Sequence, residues 1–401
     1  MRIVEINSVP YGSTLKVMMG IYIVGEKTGI DFLLGTGYSY HPVENLPACY
    51  TCFSGFLSKS THMLLAWVTG IEGGFSKFST KAFLKKIEMF HPDILHLHNL
   101  HGSYINIPML FAYIKRTNIP VVLTLHDCWA FTGHCPHFSM IHCDKWIDGC
   151  YECPQYKKYP RSLCDNSKKM YQLKQQWFTG VKNLTIVTPS EWLAELLKKS
   201  FLKDYPVKVI NNGIDLSVFK PIQNNFREKY GIPKDKFIVL GVAFGWGERK
   251  GLDVFIELSR RLEQNKFQIV LVGTDKKVDK QLPKEIVSIH RTQNQTELAE
   301  IYTEADLFVN PTREDNYPTV NMEAIACGTP VLTFDTGGSP ECIDETCGCV
   351  VPCDDIDRLI EEIYRIYNQR PYNKEDCVRK AQSFNNQYKY EMYLKLYQNI
   401  L

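Results

Sequence analysis

Asp315 and Glu323 stand in the stretch Pro311–Val331, PTREDNYPTVNMEAIACGTPV, with seven residues between them. The apolar run before it ends at Asn310, a polar loop follows, and a helix is predicted from about Thr319 to Gly328. In parallel sheets ligands sit beyond the carboxyl ends of the strands, and the free N–H groups of a helix that starts there attract phosphate. At such a place one acid can meet a sugar hydroxyl while the other grips a ribose. A helix cap and a surface ion pair give the same spacing, so the pair is weighed with its company. That company is cationic. Glu248-Arg249-Lys250-Gly251-Leu252 opens an amphipathic segment. Nearer the N-terminus, His126 ends the apolar run Val121–Leu125 and is followed by Asp127, a poor choice for a core. His98 and Asn99 end the run before it, and Gly12-Ser13-Thr14 follows the first run as a turn.

A second chemistry is legible in the cysteines. Cys135, Cys143, Cys150 and Cys153 are spaced C-x7-C-x6-C-x2-C. Four thiolates with one C-x2-C pair fit a tetrahedral structural zinc. His134, His137 or His142 could replace one ligand, and unliganded thiols are the plainer alternative. Residues 128–166 around them follow no apolar period, and a structureless stretch of that length needs something other than a core to hold it. Cys342, Cys347, Cys349 and Cys353 form a looser group that reads as coincidence.

The elements that position these residues read as alternating strand and helix. Short Val/Ile/Leu runs occur at Arg2–Asn7, Ile94–His98, Val121–Leu125, Leu184–Thr188, Val207–Ile210, Phe237–Val242, Gln268–Val272, Leu307–Val309 and Pro330–Thr333. Continuous apolar runs of this length suit strands buried on both faces of a parallel sheet. Amphipathic segments such as Gly251–Asn265 lie between them. Ser190 is placed to cap a helix over Glu191–Ser200, and Lys203-Asp204-Tyr205-Pro206 then breaks the chain, so a domain boundary is expected near 190–210. The segment from about Asn373 to Leu401 reads as helical, with Tyr388, Met392, Tyr393, Leu396 and Tyr397 on one face.

The 401 residues suit two domains. Composition, with 44% apolar and 22% charged residues, excludes disorder and coiled coil. No apolar run is long enough to span a bilayer, and the acidic residue in Arg2–Asn7 marks a first strand instead of a signal peptide, so an intracellular protein is expected. Residues 1–190 hold 18 Lys/Arg and 12 Asp/Glu, against 28 and 32 in the remainder. A basic first half suits an anionic surface or acceptor. No basic run interleaved with aromatics points to nucleic acid.

The Asp315–Glu323 stretch resembles the E-x7-E signature of retaining nucleotide-sugar glycosyltransferases of family 4, with Asp315 in place of the first acid. Other pieces follow in that family's order. They are Asn211-Asn212-Gly213-Ile214-Asp215 with Phe219 and Pro221, Glu248–Leu252, the helix-like Glu297–Asp306, and Gly337-Gly338-Ser339-Pro340-Glu341. The family pattern usually has Arg five residues before the lysine; this chain has Gly245 there, with Arg249 as the nearest substitute. The first half is similar more loosely, through Asn7–Leu15, His96–Asn99 and Thr124–Trp129, and looks most like members that build bacterial surface polysaccharides of the colanic-acid type.

The resemblance implies a GT-B fold: α/β, two Rossmann-like domains with parallel sheets facing a central cleft, and a C-terminal helix crossing back to the first domain. The expected parts are an acceptor-side domain over 1–203 carrying the Cys-rich loop 128–166, a nucleotide-sugar domain over 204–375, and the helix 376–401. It implies a retaining hexosyltransferase, with no cofactor for catalysis, that moves a sugar from a UDP-sugar or other nucleoside-diphosphate sugar. The acceptor would be a lipid-diphosphate-linked glycan of capsule, exopolysaccharide or O-antigen synthesis. His126, Asp127 and Asp315 would be catalytic. Gly12, Ser13, Arg249, Lys250, Asn316, Tyr317, Pro318 and Glu323 would bind the donor, and His98 and Asn99 would face the acceptor. The protein would be cytoplasmic and peripheral on the inner membrane. A nucleotide-sugar epimerase on the same fold and a metal-stabilised noncatalytic scaffold are the competing classes. The joint presence of Asp315, Glu323, Lys250 and His126 argues against the scaffold.

Overall fold

The computed structural model describes residues 1–40 and 46–401. Its chain contacts form two compact units, Met1–Asn211 with Gln387–Leu401, and Asn212–Asn386.

The first unit contains strands β1 (Arg2–Asn7), β2 (Asp31–Thr36), β3 (Tyr50–Cys52), β4 (Ile94–Leu97), β5 (Val121–Thr124), β6 (Leu184–Thr188) and β7 (Val207–Val209). They form one parallel sheet in the order β3-β2-β1-β4-β5-β6-β7. Every residue of β4 and β5 is buried, as strands covered on both faces must be. One face packs Ile6, Phe83, Leu97, Leu123, Trp129 and Phe178. The other packs Ile3, Met18, Leu34, Val122 and Tyr397. The C-terminal helix Asn386–Ile400 closes this second core. It packs so tightly on the helix Gly12–Glu26 that a Cβ at Gly20 would stand 2.1 Å from the Tyr390 ring.

The second unit contains β8 (Phe237–Val242), β9 (Phe267–Val272), β10 (Val287–Ile289), β11 (Leu307–Asn310), β12 (Val331–Phe334) and β13 (Gly348–Val351). Their parallel order is β10-β9-β8-β11-β12-β13. Each sheet therefore reverses its strand order once, between β1 and β4 in the first unit and between β8 and β11 in the second. These reversals open the crevices in which α/β sheets hold ligands.

The structure corrects three expectations. The strand at Val207 was expected to open the second domain at 204. It pairs with β6, Thr188 opposite Val209, so the first unit runs on to Asn211. The helix expected over 376–401 is two helices, Lys374–Ala381 in the second unit and Asn386–Ile400 in the first. Tyr388 is exposed, because the buried stripe of the last helix runs through Tyr390, Tyr393, Leu394 and Tyr397 at helical spacing. The Asn211–Asp215 element clasps the break between those helices. Ile214 N donates to Phe384 O at 2.8 Å, Asn386 N donates to Ile214 O at 3.0 Å, and a Cβ at Gly213 would come within 2.5 Å of Asn386 Cα. No described helix is long and apolar enough to cross a membrane.

Candidate active site

In the second unit the chemistry gathers beyond β8 and β11, at the reversal. The turn Glu248–Lys250 follows β8 and the loop Pro311–Pro318 follows β11. Lys250 Nζ donates to Asp315 Oδ2 in an ion pair whose two side chains are partly open to solvent. Arg249 Nη1 donates to Glu314 O at 3.0 Å, and Arg313 N donates to Arg249 O at 2.9 Å, so the two loops are sewn together. Gly245, where the family pattern has Arg, adopts φ +82, a left-handed conformation that favours glycine.

The helix Thr319–Ala326 starts at this place with Pro318 as its N-cap. A buried polar network fixes it. Asn310 Nδ2 donates to Asn321 Oδ1 at 2.8 Å, and Asn321 Nδ2 donates to Ser339 Oγ at 3.0 Å. Thr333 Oγ1 donates to Asn310 O at 2.9 Å. These bonds tie the helix to the ends of β11 and β12. Glu323 is half-buried on the helix, and its Oε2 accepts from Tyr302 OH at 3.2 Å. Burial, with Glu323 adding to it, lifts the Tyr302 phenol well above its ordinary range, so it stays a donor. Asn316 and Tyr317 are buried. Asn316 contributes its backbone N–H, which donates to Asp315 Oδ1 at 2.9 Å.

Sequence reasoning passed over Arg313. Its guanidinium bridges Asp253 at 2.6 Å, Asp354 at 2.7 Å and Glu248 O at 2.5 Å, and so holds the cationic turn against the signature loop. It also passed over Asn310 and Asn321. Their signal was an amide ending an otherwise apolar strand, which a buried polar neighbour, here the Asn321 side chain, has to satisfy.

In the first unit, Gly12 adopts φ +81 and opens a helix, where a turn was expected. Ser13 is exposed beside it. Asn7 Nδ2 donates to Val9 O and to Thr14 Oγ1, both at 3.1 Å, which shapes the loop leading into that helix. Across the reversal, His126 follows β5 and contacts His98, Nε2 to Nδ1, at 3.1 Å. His98 in turn lies 4.1 Å, ring to ring, from His96. His96 Nδ1 is 2.6 Å from Tyr397 OH and its Nε2 is 2.8 Å from Thr124 Oγ1. His98 is buried behind His126, and with Asn99, His126 and Asp127 it lines one small pocket; Asn99 is half-buried and its carbonyl accepts from Tyr104 OH at 2.8 Å. Burial lowers all three histidines, His126 to about 4, His96 to about 3 and His98 well below its ordinary value. His126 is therefore a neutral imidazole at neutral pH.

Asp127 turns away from this row. Its Oδ1 accepts from Trp129 N at 2.9 Å and its Oδ2 from His101 Nε2 at 2.9 Å, while His101 Nδ1 lies 2.9 Å from Tyr159 OH. Burial acts to raise Asp127, but the His101 charge and hydrogen bond outweigh it and hold the carboxyl down to about 2. Asp127 is ionised and shapes the start of the Cys-rich loop. In that loop Cys135, Cys143, Cys150 and Cys153 line one small pocket with His134 and Trp146.

Comparison with known proteins follows this geometry. A family model described as glycosyl transferases group 1 matches residues 235–369, which contain the Lys250–Asp315 site, and a model described as Glycosyltransferase Family 4 matches residues 68–218, which contain His98 and His126. The putative colanic acid biosynthesis glycosyl transferase WcaC of Escherichia coli K12 is 24% identical over 325 residues, 77% of each chain. Among solved structures, sucrose-phosphate synthase of Thermosynechococcus elongatus superposes with a TM-score of 0.74 at 17% identity, covering 100% of this chain and 98% of that one. Anabaena HepE, solved with UDP, gives 0.68 at 14% identity and covers 100% of both chains. The two family models together cover most of the chain, residues 68–218 and 235–369, and the chain belongs to the family 4 glycosyltransferases, with the GT-B fold.

Proposed function

We propose that this protein is a retaining, metal-independent hexosyltransferase that uses a UDP-sugar and a lipid-diphosphate-linked glycan acceptor. The observation that carries the reading is the Lys250–Asp315 pair at the β8/β11 reversal, with Arg249 beside it and the helix Thr319–Ala326 starting from the same loop. An incoming diphosphate competes for Lys250, takes up the amine and releases Asp315 to a sugar hydroxyl. Lys250, Arg249 and the helix N–H groups then stabilise the charge that develops on the leaving diphosphate. Glu323, oriented by Tyr302, accepts from the ribose hydroxyls. His126, as a neutral imidazole, hydrogen-bonds the donor sugar. The UDP in the HepE structure supports a uridine donor, and the colanic-acid relative supports a surface-polysaccharide acceptor.

Asp127 favours one course for retention. Both its oxygens are engaged by Trp129 and His101, so it is poorly placed to attack the anomeric carbon. In the alternative, the acceptor hydroxyl attacks C1 on the face the diphosphate leaves. The C1–O bond to phosphate breaks, and the hydroxyl proton passes to the departing phosphate oxygen.

A membrane-bound acceptor suits the helix Phe56–Thr69. It exposes Phe56, Leu57, Met63, Leu64, Trp67 and Val68. The helix Lys77–Phe90, tied to it through Ser58 and Ser79 Oγ at 3.0 Å, carries Lys77, Lys81, Lys85 and Lys86 and exposes Phe78. Apolar side chains with amines beside them are the chemistry of binding at an anionic lipid interface, here the cytoplasmic face of the inner membrane.

The test is incubation with labelled UDP-sugars and a lipid-diphosphate-linked glycan. The expected result is a glycolipid with the donor's anomeric configuration, together with free UDP. An epimerised nucleotide sugar would assign the site to an isomerase, and no UDP release with any donor would overturn the reading.

A further inference from the structure

A fully buried lysine packs against the Cys-rich loop. Lys174 Nζ donates to Trp129 O at 2.5 Å and Thr132 O at 2.9 Å and lies 3.4 Å from the Trp129 ring centroid. Among the described residues no carboxylate is within ion-pair distance of it. Cys135, Cys143, Cys150 and Cys153 line one pocket in the same loop. Gly133 N, one residue from Thr132, donates to Cys150 Sγ at 3.0 Å. The backbone is bent tightly at these cysteines. His142, Cys150 and Glu152 all adopt positive φ, at 49°, 38° and 45°. Such strain persists only where the surroundings over-determine it. The loop has no strand of its own and only one turn of α-helix, Lys145–Asp148.

We propose that Cys135, Cys143, Cys150 and Cys153 bind one structural zinc ion. Four thiols lose their protons on binding, and the resulting tetrathiolate centre carries a net double negative charge that Lys174 partly offsets. The sulfurs line the pocket without converging on one point, and staggered χ1 rotamers swing a thiol into such a pocket. The described side chains whose ligand atoms already lie within 4.8 Å of one another are Glu5, His96 and His98, and two of these are engaged by Tyr397. The zinc braces the active site indirectly. The loop begins at Asp127 and Trp129, and Tyr159 beyond it returns to His101, the partner of Asp127.

The full-length protein, purified under reducing conditions without added metal, is expected to hold about one zinc per chain. Mercurial titration of its thiols should release that zinc. Cobalt exchanged into the site should show tetrahedral d–d bands and thiolate charge transfer. Cys150→Ser and Cys135→Ser should lose the zinc and lower the melting temperature, whereas Cys353→Ser should retain it. Zinc retained in both loop variants would place the metal elsewhere and overturn the proposal. So would metal-free protein with four reactive thiols, or loop disulfides that persist in reductant. If the loop variants do not fold, the cobalt spectrum of the unaltered chain decides: no thiolate charge transfer refutes the site.

Discussion

His98 Nδ1 lies 3.1 Å from His126 Nε2, and His98 is itself shielded from solvent. One nitrogen of the two carries the shared proton, so the orientation of the His126 ring is set from behind. His96, held by Tyr397 and Thr124, packs its ring against His98 at 4.1 Å. The C-terminal helix thus reaches the histidine row of its own unit through two tyrosines, Tyr397 by a hydrogen bond and Tyr393 by ring contact.

That row makes the fold acid-sensitive. His96, His98 and His126 have folded pKa values below the ordinary value near 6.5, about 3 for His96 and about 4 for His126. Between those values and 6.5 the unfolded chain takes up protons that the folded chain refuses, so stability is full above 6.5 and falls as the pH drops toward 4. His96 and His126 each cost about 2 kcal/mol at pH 5, and His98 adds to this in the same direction. Glu5, raised well above its ordinary value by burial, works the other way. The expected outcome is a urea midpoint clearly lower at pH 5 than at pH 7.5, with the difference reduced in His98→Gln. Equal midpoints would contradict the buried neutral row.

Donor binding separates the roles in the second unit. Lys250→Ala and Glu323→Ala should each weaken UDP binding by about 1.5–3 kcal/mol, the worth of a charge-assisted hydrogen bond. Asp315→Asn should do the opposite. It removes the carboxylate that holds Lys250, so UDP affinity is kept or increased while sugar transfer falls. Calorimetry with UDP on the three variants checks the sign. Weaker UDP binding in Asp315→Asn would show that Asp315 orients Lys250 instead of competing for it.

Activity should survive exhaustive EDTA in the assay, because Lys250, Arg249 and the helix Thr319–Ala326 are the groups proposed to hold the diphosphate. A strict requirement for added Mg²⁺ or Mn²⁺ would remove metal independence from the reading. Slow unfolding under chelation would report on the cysteine loop, and is told apart by its time course.

The strands were legible where both faces are buried. β1, β6 and β8 appear in the sequence as Val/Ile/Leu-rich runs with the observed bounds. β3, β10 and β13 were not legible, because they are three- or four-residue edge strands with too few apolar positions to show a period. β2 was hidden by Asp31 and Gly35. The chemistry of Lys250, Asp315 and Glu323 could be read from residue type and order. The burial of His98, Asn316 and Tyr317 could not, because polar residues at strand ends look alike in sequence whether they face a crevice or stand behind one. The Tyr159–His101–Asp127 chain joins residues far apart in sequence, and only the fold shows that they meet.

Membrane affinity is predicted to reside in the exposed row of the helix Phe56–Thr69. Leu57→Asp and Leu64→Asp should each reduce flotation with anionic vesicles, and leave UDP binding unchanged because that site belongs to the other unit. Flotation equal to that of the unaltered chain would move the membrane contact elsewhere.

Gly337 offers a test of how the signature loop is held. It adopts φ +56, and a Cβ there would fall 1.8 Å from Asp315 O. Gly338 N also donates to that oxygen, at 3.3 Å. The glycine pair after β12 is therefore the surface on which the Asp315 backbone rests. Gly231 supplies the control in the same unit, with φ +63 and open space around its Cβ position. Gly231→Ala should cost only the left-handed backbone term, about 1–2 kcal/mol of stability, with UDP affinity intact. Gly337→Ala carries the same term and must also push Asp315 away, which shifts its carboxylate relative to Lys250. It should destabilise the protein more than Gly231→Ala does and also change UDP affinity. Denaturant midpoints and UDP calorimetry on the two variants provide the comparison, and matching losses in both would mean that the contact with Asp315 plays no part in holding the donor site.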